Sequence, residues 1–418
     1  MSNEMNEINS CEVCGNEKLF PVLDLGMHPM CDDLIKIGDD RKCNEYPIEI
    51  LFCKTCNTAH QKYQVPKEEL FPQSYHYRAR FTADVLNGMS SLVDDCIEKY
   101  GNLEGKKVLD IGCNDGSLLN FFKDKGALTF GMEPTGAYSD ARENGHQVLN
   151  EYFTKKTAIE YKNMYGQPDF ITFTNVFAHI ENLKDVLSAL KELVSHETVV
   201  IIENHYLGSV LDGSQFDTFY HEHPRTYSLT SFYTMGPAYE IKLIDVSFPS
   251  RYGGNIRVAL AHKNNTLNFN SSLDLDKELE KENAYFDEFE KLRTNITNWQ
   301  KNKKEYLNQL SNKYGKIRAK AFPGRAAILV KMLGLNENII SEVFEKPGSL
   351  KVGNYLPGTR IPIKSDDELF LLPDQSLPIL NLAWHIPDEI RKYFISNGYT
   401  GEVIDILNKD DFSGGEKN

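Results

Sequence analysis

Five groups of residues in this 418-residue chain have types and spacings suited to chemistry. Cys11-x-x-Cys14 and Cys53-x-x-Cys56 place four soft thiolates on two tight turns, the pattern of a closed tetrahedral zinc site with no position left for substrate or water. Its metal is structural. Val108-Leu-Asp-Ile-Gly-Cys-Asn-Asp-Gly116 ends an apolar run at Asp110 and turns through Gly112, Asn114 and Gly116 into a helix-like Ser117-Leu-Leu-Asn-Phe-Phe122. Glycines at such a strand-to-helix turn let the backbone approach a ligand. The three-glycine dinucleotide fingerprint is absent, and Glu133 closes the next apolar run where a ribose diol needs an acceptor. Together these favour S-adenosylmethionine over a dinucleotide.

The third group, Phe216-Asp-Thr-Phe-Tyr-His-Glu-His-Pro224, is the densest run of ionisable residues and follows the apolar run Thr198–Glu203. A histidine titrates near neutral pH and suits proton removal, while a neighbouring carboxylate or phenol orients it or holds an enolate. Strand-like alternation puts Tyr220 and Glu222 on one side and His221 and His223 on the other. The competing reading is a metal site or a polar loop. Thr174-Asn-Val-Phe-Ala-His-Ile180 also ends an apolar run, which places Asn175 at the cofactor and turns His179 into the cleft; a satisfied structural histidine is the alternative. In Ser74-Tyr-His-Tyr-Arg-Ala-Arg-Phe81, Tyr75 and Tyr77 offer hydroxyls to a keto or sugar group, and Arg78 and Arg80 offer forks to a diphosphate. A solvated basic helix start accounts equally for the arginines.

The elements that must position these groups alternate. Leu128–Glu133, Asp169–Thr174, Thr198–Glu203, Leu243–Val246 and Asn255–Leu260 read as strands, and Leu183–Val194 as a helix between two of them. The fold class is α/β: a largely parallel Rossmann-like sheet whose ligands collect at the carboxyl ends of the strands. An α-periodic stretch from Phe71 to Tyr100, with Phe81, Val85, Met89, Leu92 and Val93 on one side, leads into it. The length exceeds a single core. The expected division is a zinc-binding module at 1–72, a methyltransferase domain at 73–265, an amphipathic helical linker or strut at 266–315, and a second α/β domain at 316–418 with strands near Ile339–Phe344, Leu377–Leu382 and Glu402–Leu407.

A net charge of −14, from 46 basic and 60 acidic residues, argues against nucleic acid and anionic membrane as partners. No apolar run approaches a membrane-spanning length, and Met1-Ser-Asn-Glu-Met-Asn-Glu7 has neither a basic start nor an apolar signal region. The expectation is a cytoplasmic protein with a small-molecule substrate. There, Cys31, Cys43, Cys96 and Cys113 stay as thiols.

With these motifs in hand, the chain resembles the sugar C-methyltransferases that act on nucleotide-linked 4-keto-deoxy sugars. The resemblance spans nearly the whole length: the four-cysteine module with Leu23-Asp-Leu-Gly26, the Val108–Gly112 turn, Asn175–Ile180, Phe216–His223, Ser228–Phe232, Gly253–Arg257, Tyr355–Ile363 and Ala383–Ile390. It implies that a proton leaves the carbon beside the ketone and that the enolate then takes a methyl group from S-adenosylmethionine. By that similarity His223 matches the base, Tyr220, Glu222, Tyr75, Tyr77 and His179 surround the sugar, and the C-terminal domain helps hold the nucleotide. Two segments depart from the family: Arg78-Ala-Arg-Phe81, where small hydroxyl residues are usual, and Ala321-Phe-Pro-Gly-Arg-Ala-Ala327, in place of a glycine-rich turn bearing lysine. Methylation of a sugar oxygen, or a non-catalytic sugar-nucleotide-binding scaffold, are the rival functions.

Overall fold

The computed structural model describes residues 5–73, 75, 77–269, 271 and 273–412, so Ser74 and His76 of the tyrosine-arginine segment lie outside the described residues. The chain divides into two compact units that do not follow chain order. One comprises Met1–Pro21, Leu51–Val210 and Glu222–Phe286; the other comprises Val22–Ile50, Leu211–His221 and Asp287–Asn418.

The first unit is built on a seven-stranded sheet. Its strands are β1 (Lys107–Ile111), β2 (Leu128–Met132), β3 (Gln147–Leu149), β4 (Phe170–Thr174), β5 (Val199–His205), β6 (Ile241–Ser247) and β7 (Asn255–His262). The order is β6-β7-β5-β4-β1-β2-β3. Strands β1 to β5 run parallel, and their apolar sequences fit burial on both faces. Strands β6 and β7 are antiparallel to each other, and β7 to β5, because the connection 248–254 is too short for a crossover helix. Gly253 and Gly254 close that connection with φ of 86° and 120°. The strand order reverses at β1 and β4, which puts the Asp110–Gly116 turn and Asn175 at the switch point.

The expected helix from Phe71 begins only at Ala83 and runs to Tyr100. The reason lies in where the preceding backbone bonds go. Ala79 N–H donates to Asn114 Oδ1 at 3.1 Å and Arg80 N–H to Asp115 Oδ2 at 3.0 Å, which removes them from any helical ladder. Phe81, assigned by periodicity to the apolar side, is instead exposed.

The second unit carries a five-stranded parallel sheet: β8 (Ile317–Lys320), β9 (Ile340–Glu345), β10 (Ile363–Ser365), β11 (Ile379–Asn381) and β12 (Val403–Asp405), in the order β10-β9-β8-β11-β12. The helix Tyr285–Tyr314 buries Phe289, Leu292, Ile296, Trp299, Leu307 and Leu310, as its apolar period requires. Trp299 Nε1 donates to the Ile406 carbonyl at 2.8 Å, so the helix is a packed strut.

The amphipathic stretch is not one helix, since a 3-10 turn at Glu282–Ala284 separates Leu275–Lys281 from Tyr285–Tyr314. Glu282, fully buried, has left the helical surface to cap another helix, Leu229–Met235. It accepts from Leu229 N at 2.7 Å, Thr230 N at 2.8 Å, Thr230 Oγ1 at 2.5 Å and the Tyr206 hydroxyl at 2.8 Å. Glu282→Ala strands these donors, and urea unfolding is expected to show a loss of about 2–4 kcal/mol. Glu282→Gln, which keeps one acceptor, is expected to lose less.

Candidate active site and metal centre

The four paired cysteines converge. Cys11, Cys14, Cys53 and Cys56 have all their sulfurs within 4.8 Å of one another, and among the described residues theirs is the group able to hold a metal ion. Cys11 and Cys56 sulfurs are 3.4 Å apart and those of Cys14 and Cys53 are 3.6 Å apart. Zinc–sulfur bonds of about 2.3 Å in a tetrahedron put sulfurs about 3.8 Å apart, so the cluster fits zinc closely. Outer donors are in place as well: His60 Nε2 lies 3.3 Å from Cys11 Sγ and Thr58 Oγ1 lies 3.1 Å from Cys56 Sγ.

At the switch point the backbone takes three left-handed residues in five, with φ of 67° at Gly112, 49° at Asn114 and 78° at Gly116. The glycines serve packing as much as ligand approach. A Cβ on Gly112 would meet Val176 at 2.7 Å, and one on Gly116 would meet His146 at 2.7 Å. Asn114 N–H donates to Glu133 Oε2 at 2.9 Å; Thr135 N and Oγ1 reach Oε1 at 2.8 and 2.6 Å. Burial raises the affinity of Glu133 for its proton, and no cation forms an ion pair with it among the described contacts. A carboxylate in that state fits a ligand that brings hydroxyl donors, such as the ribose of S-adenosylmethionine. Asp110 lies deeper, accepting from Thr172 Oγ1 at 2.7 Å, and burial pushes it up to about 7.

The Tyr75–Arg80 segment is fastened to this turn. Asn114 spends both ends of its amide on the segment, since its Nδ2 donates to the Tyr77 carbonyl at 3.2 Å as its Oδ1 accepts from Ala79. Arg78 Nε and Arg80 Nη1 both donate to Asp140 Oδ2, at 2.7 and 2.8 Å, so the two guanidinium groups are already paired with carboxylate. Asp115, which sequence reasoning did not single out, accepts from Arg80 N through one oxygen and from Ser117 N and Oγ through the other.

Asn175, at φ 53°, donates its N–H to the Glu203 carbonyl at 2.7 Å, and its side-chain oxygen accepts from Asn255 Nδ2 at 3.3 Å. The carboxylate of Glu203, fully buried at the end of β5, is paired with Arg251 and Arg257 and accepts from Asn255 at 2.9 Å. Burial works to raise its pKa, but the two guanidinium groups and these hydrogen bonds win and hold it below the usual range. This cluster, in which the Glu203 carboxylate is fully paired, fixes the strand ends and was missed because its partners lie about 50 residues apart.

The segment Phe219–Pro224 is a turn, not a strand, so the expected alternation does not apply. His221 is buried with Nε2 3.1 Å from the Tyr46 carbonyl, and Tyr220 is half-buried. Beyond them, Glu222 accepts from the Tyr75 hydroxyl at 3.1 Å. His223 Nε2 lies 3.0 Å from His179 Nε2, and the His179 ring stacks on Phe71 at 5.4 Å. Desolvation lowers His179 to about 4, which keeps it neutral at pH 7. His205, absent from the sequence reading, completes the group with its ring 5.4 Å from that of His223. Its place at the end of β5 was the available signal. Tyr75, His179, Glu222 and His223 are thus brought together, while Tyr77 remains exposed.

In the second unit, Asp217 is fully buried and receives Arg325 Nε and Nη2 at 2.8 Å each and Trp384 Nε1 at 2.8 Å. Asp217 therefore belongs to the fold of the turn after β8.

Comparison with known proteins matches three family models along the chain: a zinc binding domain at 11–71, a methyltransferase domain at 76–244 and a C-methyltransferase C-terminal domain at 250–399. The C-methyltransferase NovU of Streptomyces niveus is 26% identical over 406 residues, 95% of this chain and 96% of that protein. A ubiquinone biosynthesis O-methyltransferase of Escherichia coli O127:H6 is 36% identical over 103 residues, 23% of this chain and 42% of that protein. Magnesium protoporphyrin IX methyltransferase from Synechocystis PCC 6803, solved with bound SAH, aligns at 15% identity over 43% of this chain and 84% of that one with a TM-score of 0.34, too slight a likeness to argue from. No helix among the described residues is long and apolar enough to cross a membrane. The cysteine cluster, the turn at the switch point and the three matched domains together make this chain a member of the S-adenosylmethionine-dependent C-methyltransferases that carry an N-terminal zinc-binding domain.

Proposed function

We propose that the protein methylates a nucleotide-linked keto sugar at the carbon beside its ketone, in cytoplasmic deoxysugar or surface-polysaccharide synthesis. The 3.0 Å contact between His223 and the neutral His179, beside the Tyr75–Glu222 hydrogen bond, carries this reading. Full-length similarity to NovU supports the choice of carbon. A carbon is not nucleophilic until its proton leaves, so the site needs a base before anything else. His223 takes that proton; the C–H electron pair becomes the carbon–carbon double bond as the carbonyl π pair moves onto the ketone oxygen, which gives the enolate. Because His179 is uncharged, the imidazolium that His223 becomes meets no second positive charge across their contact. The Tyr75 hydroxyl, oriented by Glu222, and Tyr77 hold the sugar.

S-adenosylmethionine, when bound, supplies the electrophilic methyl group. Glu133, the Asp110–Gly116 backbone, and Asn175 are the residues that would hold it, with Asn114 acting through its N–H on Glu133. Arg78 and Arg80 order the segment above the turn; they reach a diphosphate only by exchanging Asp140 for it. In this reading residues 1–72 form the zinc module, 73–265 the methyltransferase domain, 266–315 the strut and 316–418 a domain that helps hold the nucleotide. The buried and unpartnered Arg325 Nη1 and His385 Nδ1 support the last assignment.

The deciding experiment is incubation with a panel of keto-sugar nucleotides in deuterated water without methyl donor. The carbon-bound α-proton is expected to exchange for deuterium, with the rate falling at least about 10²-fold in His223→Gln. Methylation of any panel sugar without such exchange would overturn the base mechanism and mark oxygen as the acceptor.

Neutral burial of histidines also sets a pH dependence. Desolvation lowers His28 and holds His146, His179 and His221 at about 4 and His385 at about 3, below the unfolded value of about 6.5. As pH falls through 6.5 the unfolded chain takes up these protons first, so stability falls between pH 6.5 and 4. Burial raises Asp110, Glu133 and Glu181, which works in the opposite direction. The four histidines held at about 3 to 4 outweigh Asp110 at about 7, so unfolding is expected to take up protons near pH 5.5, measurable from urea midpoints against pH at saturating zinc.

A further inference from the structure

Arg225 takes no part in the chemistry above, yet it is fully buried and lies two residues beyond His223. Its Nε donates to the Tyr227 hydroxyl at 2.9 Å, and Nη1 donates to Glu12 Oε2 at 2.7 Å and to the Glu181 carbonyl at 3.1 Å. Glu12 sits inside the first cysteine pair, and Glu181 follows His179 by two residues. One guanidinium therefore touches the metal turn and the backbone beside His179, while its own backbone continues directly from His223.

The surroundings reinforce this link. Glu12 Oε2 also accepts from Gln64 Nε2 at 2.8 Å. The short strand Arg225–Thr226 pairs with Thr58–Gln61 in a register that sets Arg225 opposite His60, the residue whose Nε2 lies 3.3 Å from Cys11 Sγ. Taking an arginine fully out of water is expensive, and apolar residues of the same volume often fill such a space at lower cost. What the ion pair adds is a rigid fork that fixes several acceptors at once.

We infer that Arg225 is a positioning residue through which occupancy of the four-cysteine site sets the mutual alignment of His179 and His223. Glu12 meets Arg225 only while the Cys11–Cys14 turn keeps its shape, and that shape depends on a metal drawing the sulfurs together. The inference rests on His223 being the base, but its test needs no sugar.

The test is 15N NMR of the imidazoles in the zinc-loaded full chain, which reads the nitrogen that carries hydrogen on His179 and on His223. Zinc release to a colorimetric chelator and calorimetric affinity for S-adenosylmethionine are measured beside it. Arg225→Lys keeps the charge and loses the fork; Glu12→Gln keeps the shape and loses the charge. Both are expected to move the His179 and His223 signals in the direction produced by removing zinc from the unaltered chain. Zinc release rises about tenfold, and affinity for S-adenosylmethionine stays within about twofold. Unmoved histidine signals in Glu12→Gln at full zinc occupancy overturn the inference, whether or not Arg225→Lys folds. A parallel collapse of S-adenosylmethionine affinity in Glu12→Gln also overturns it, because the arginine would then be holding the whole unit together. Coupling intact in a protein that exchanges no sugar proton would uphold the link and remove only the base assignment.

Discussion

The N–H of Asn114 pointing at the buried Glu133 carboxylate is the contact on which the first unit turns. To aim it, a non-glycine residue adopts the left-handed conformation, a strain of roughly 1–2 kcal/mol. Asparagine tolerates this better than most side chains, and the expense is offset because a carboxylate out of water needs every donor it can find. The same strained residue has its amide free to hold the Tyr77 carbonyl and the Ala79 N–H. A single turn at the switch point of the sheet thus orders both the carboxylate that suits a ribose and the segment that carries Tyr75.

Two kinds of buried ionisable group stand at the strand ends, and their saturation tells them apart. Glu203 is neutralised by two arginines and an amide, which makes it a clamp for Asn175 and the β5–β7 junction. Among the described residues His179 pairs with no charged group and is desolvated into neutrality, with its Nε2 against another imidazole. Perturbed groups that retain capacity for a proton or ligand belong to chemistry; those whose capacity is used up belong to the fold. By this distinction Asp217, saturated by Arg325 and Trp384, is structural, although it sits in the same run of sequence as His223.

Much of this could be read from the sequence. The paired cysteines, the turn after β1 and the strands β2, β4, β5, β6 and β7 announce themselves because each is a local pattern, of spacing, glycine placement or apolar run, whereas β3, with three residues, goes unread. Short strands such as β8 and β10, with three or four residues each, fall below the length at which an apolar run is distinctive. The Tyr75–Arg80 segment misled because periodicity records only which residues are apolar, whereas its conformation depends on where two N–H groups find acceptors. Glu203 and Arg225 act through partners distant in sequence, and nothing in their immediate neighbours marks them, while His205 had only its place at the end of β5 to mark it. His223 was found through its neighbours in sequence; the atom it faces, Nε2 of His179, is 44 residues away.

The turn after β8 shows how a departure from a family pattern can be resolved by asking what the new residue does. In chain order the second sheet runs 3-2-1-4-5, so this turn, like that after β1, stands where ligands collect. Ala321 at φ 58° makes the turn without the glycine expected there. Arg325, opening the helix Ala326–Leu333, gives two of its donors to Asp217 and lies over the Trp384 ring at 5.2 Å. Its charge is therefore cancelled within the fold. A lysine could not hold both oxygens of Asp217 in a fixed plane, so the arginine and the aspartate form one device. What the device leaves for a ligand is a single buried donor, Nη1, in a locally neutral setting. If the proposed nucleotide binds here, it is met by the direction of a hydrogen bond more than by charge. Such a contact rewards the right shape and loses little to salt, whereas a free cation at the same turn would attract any phosphate.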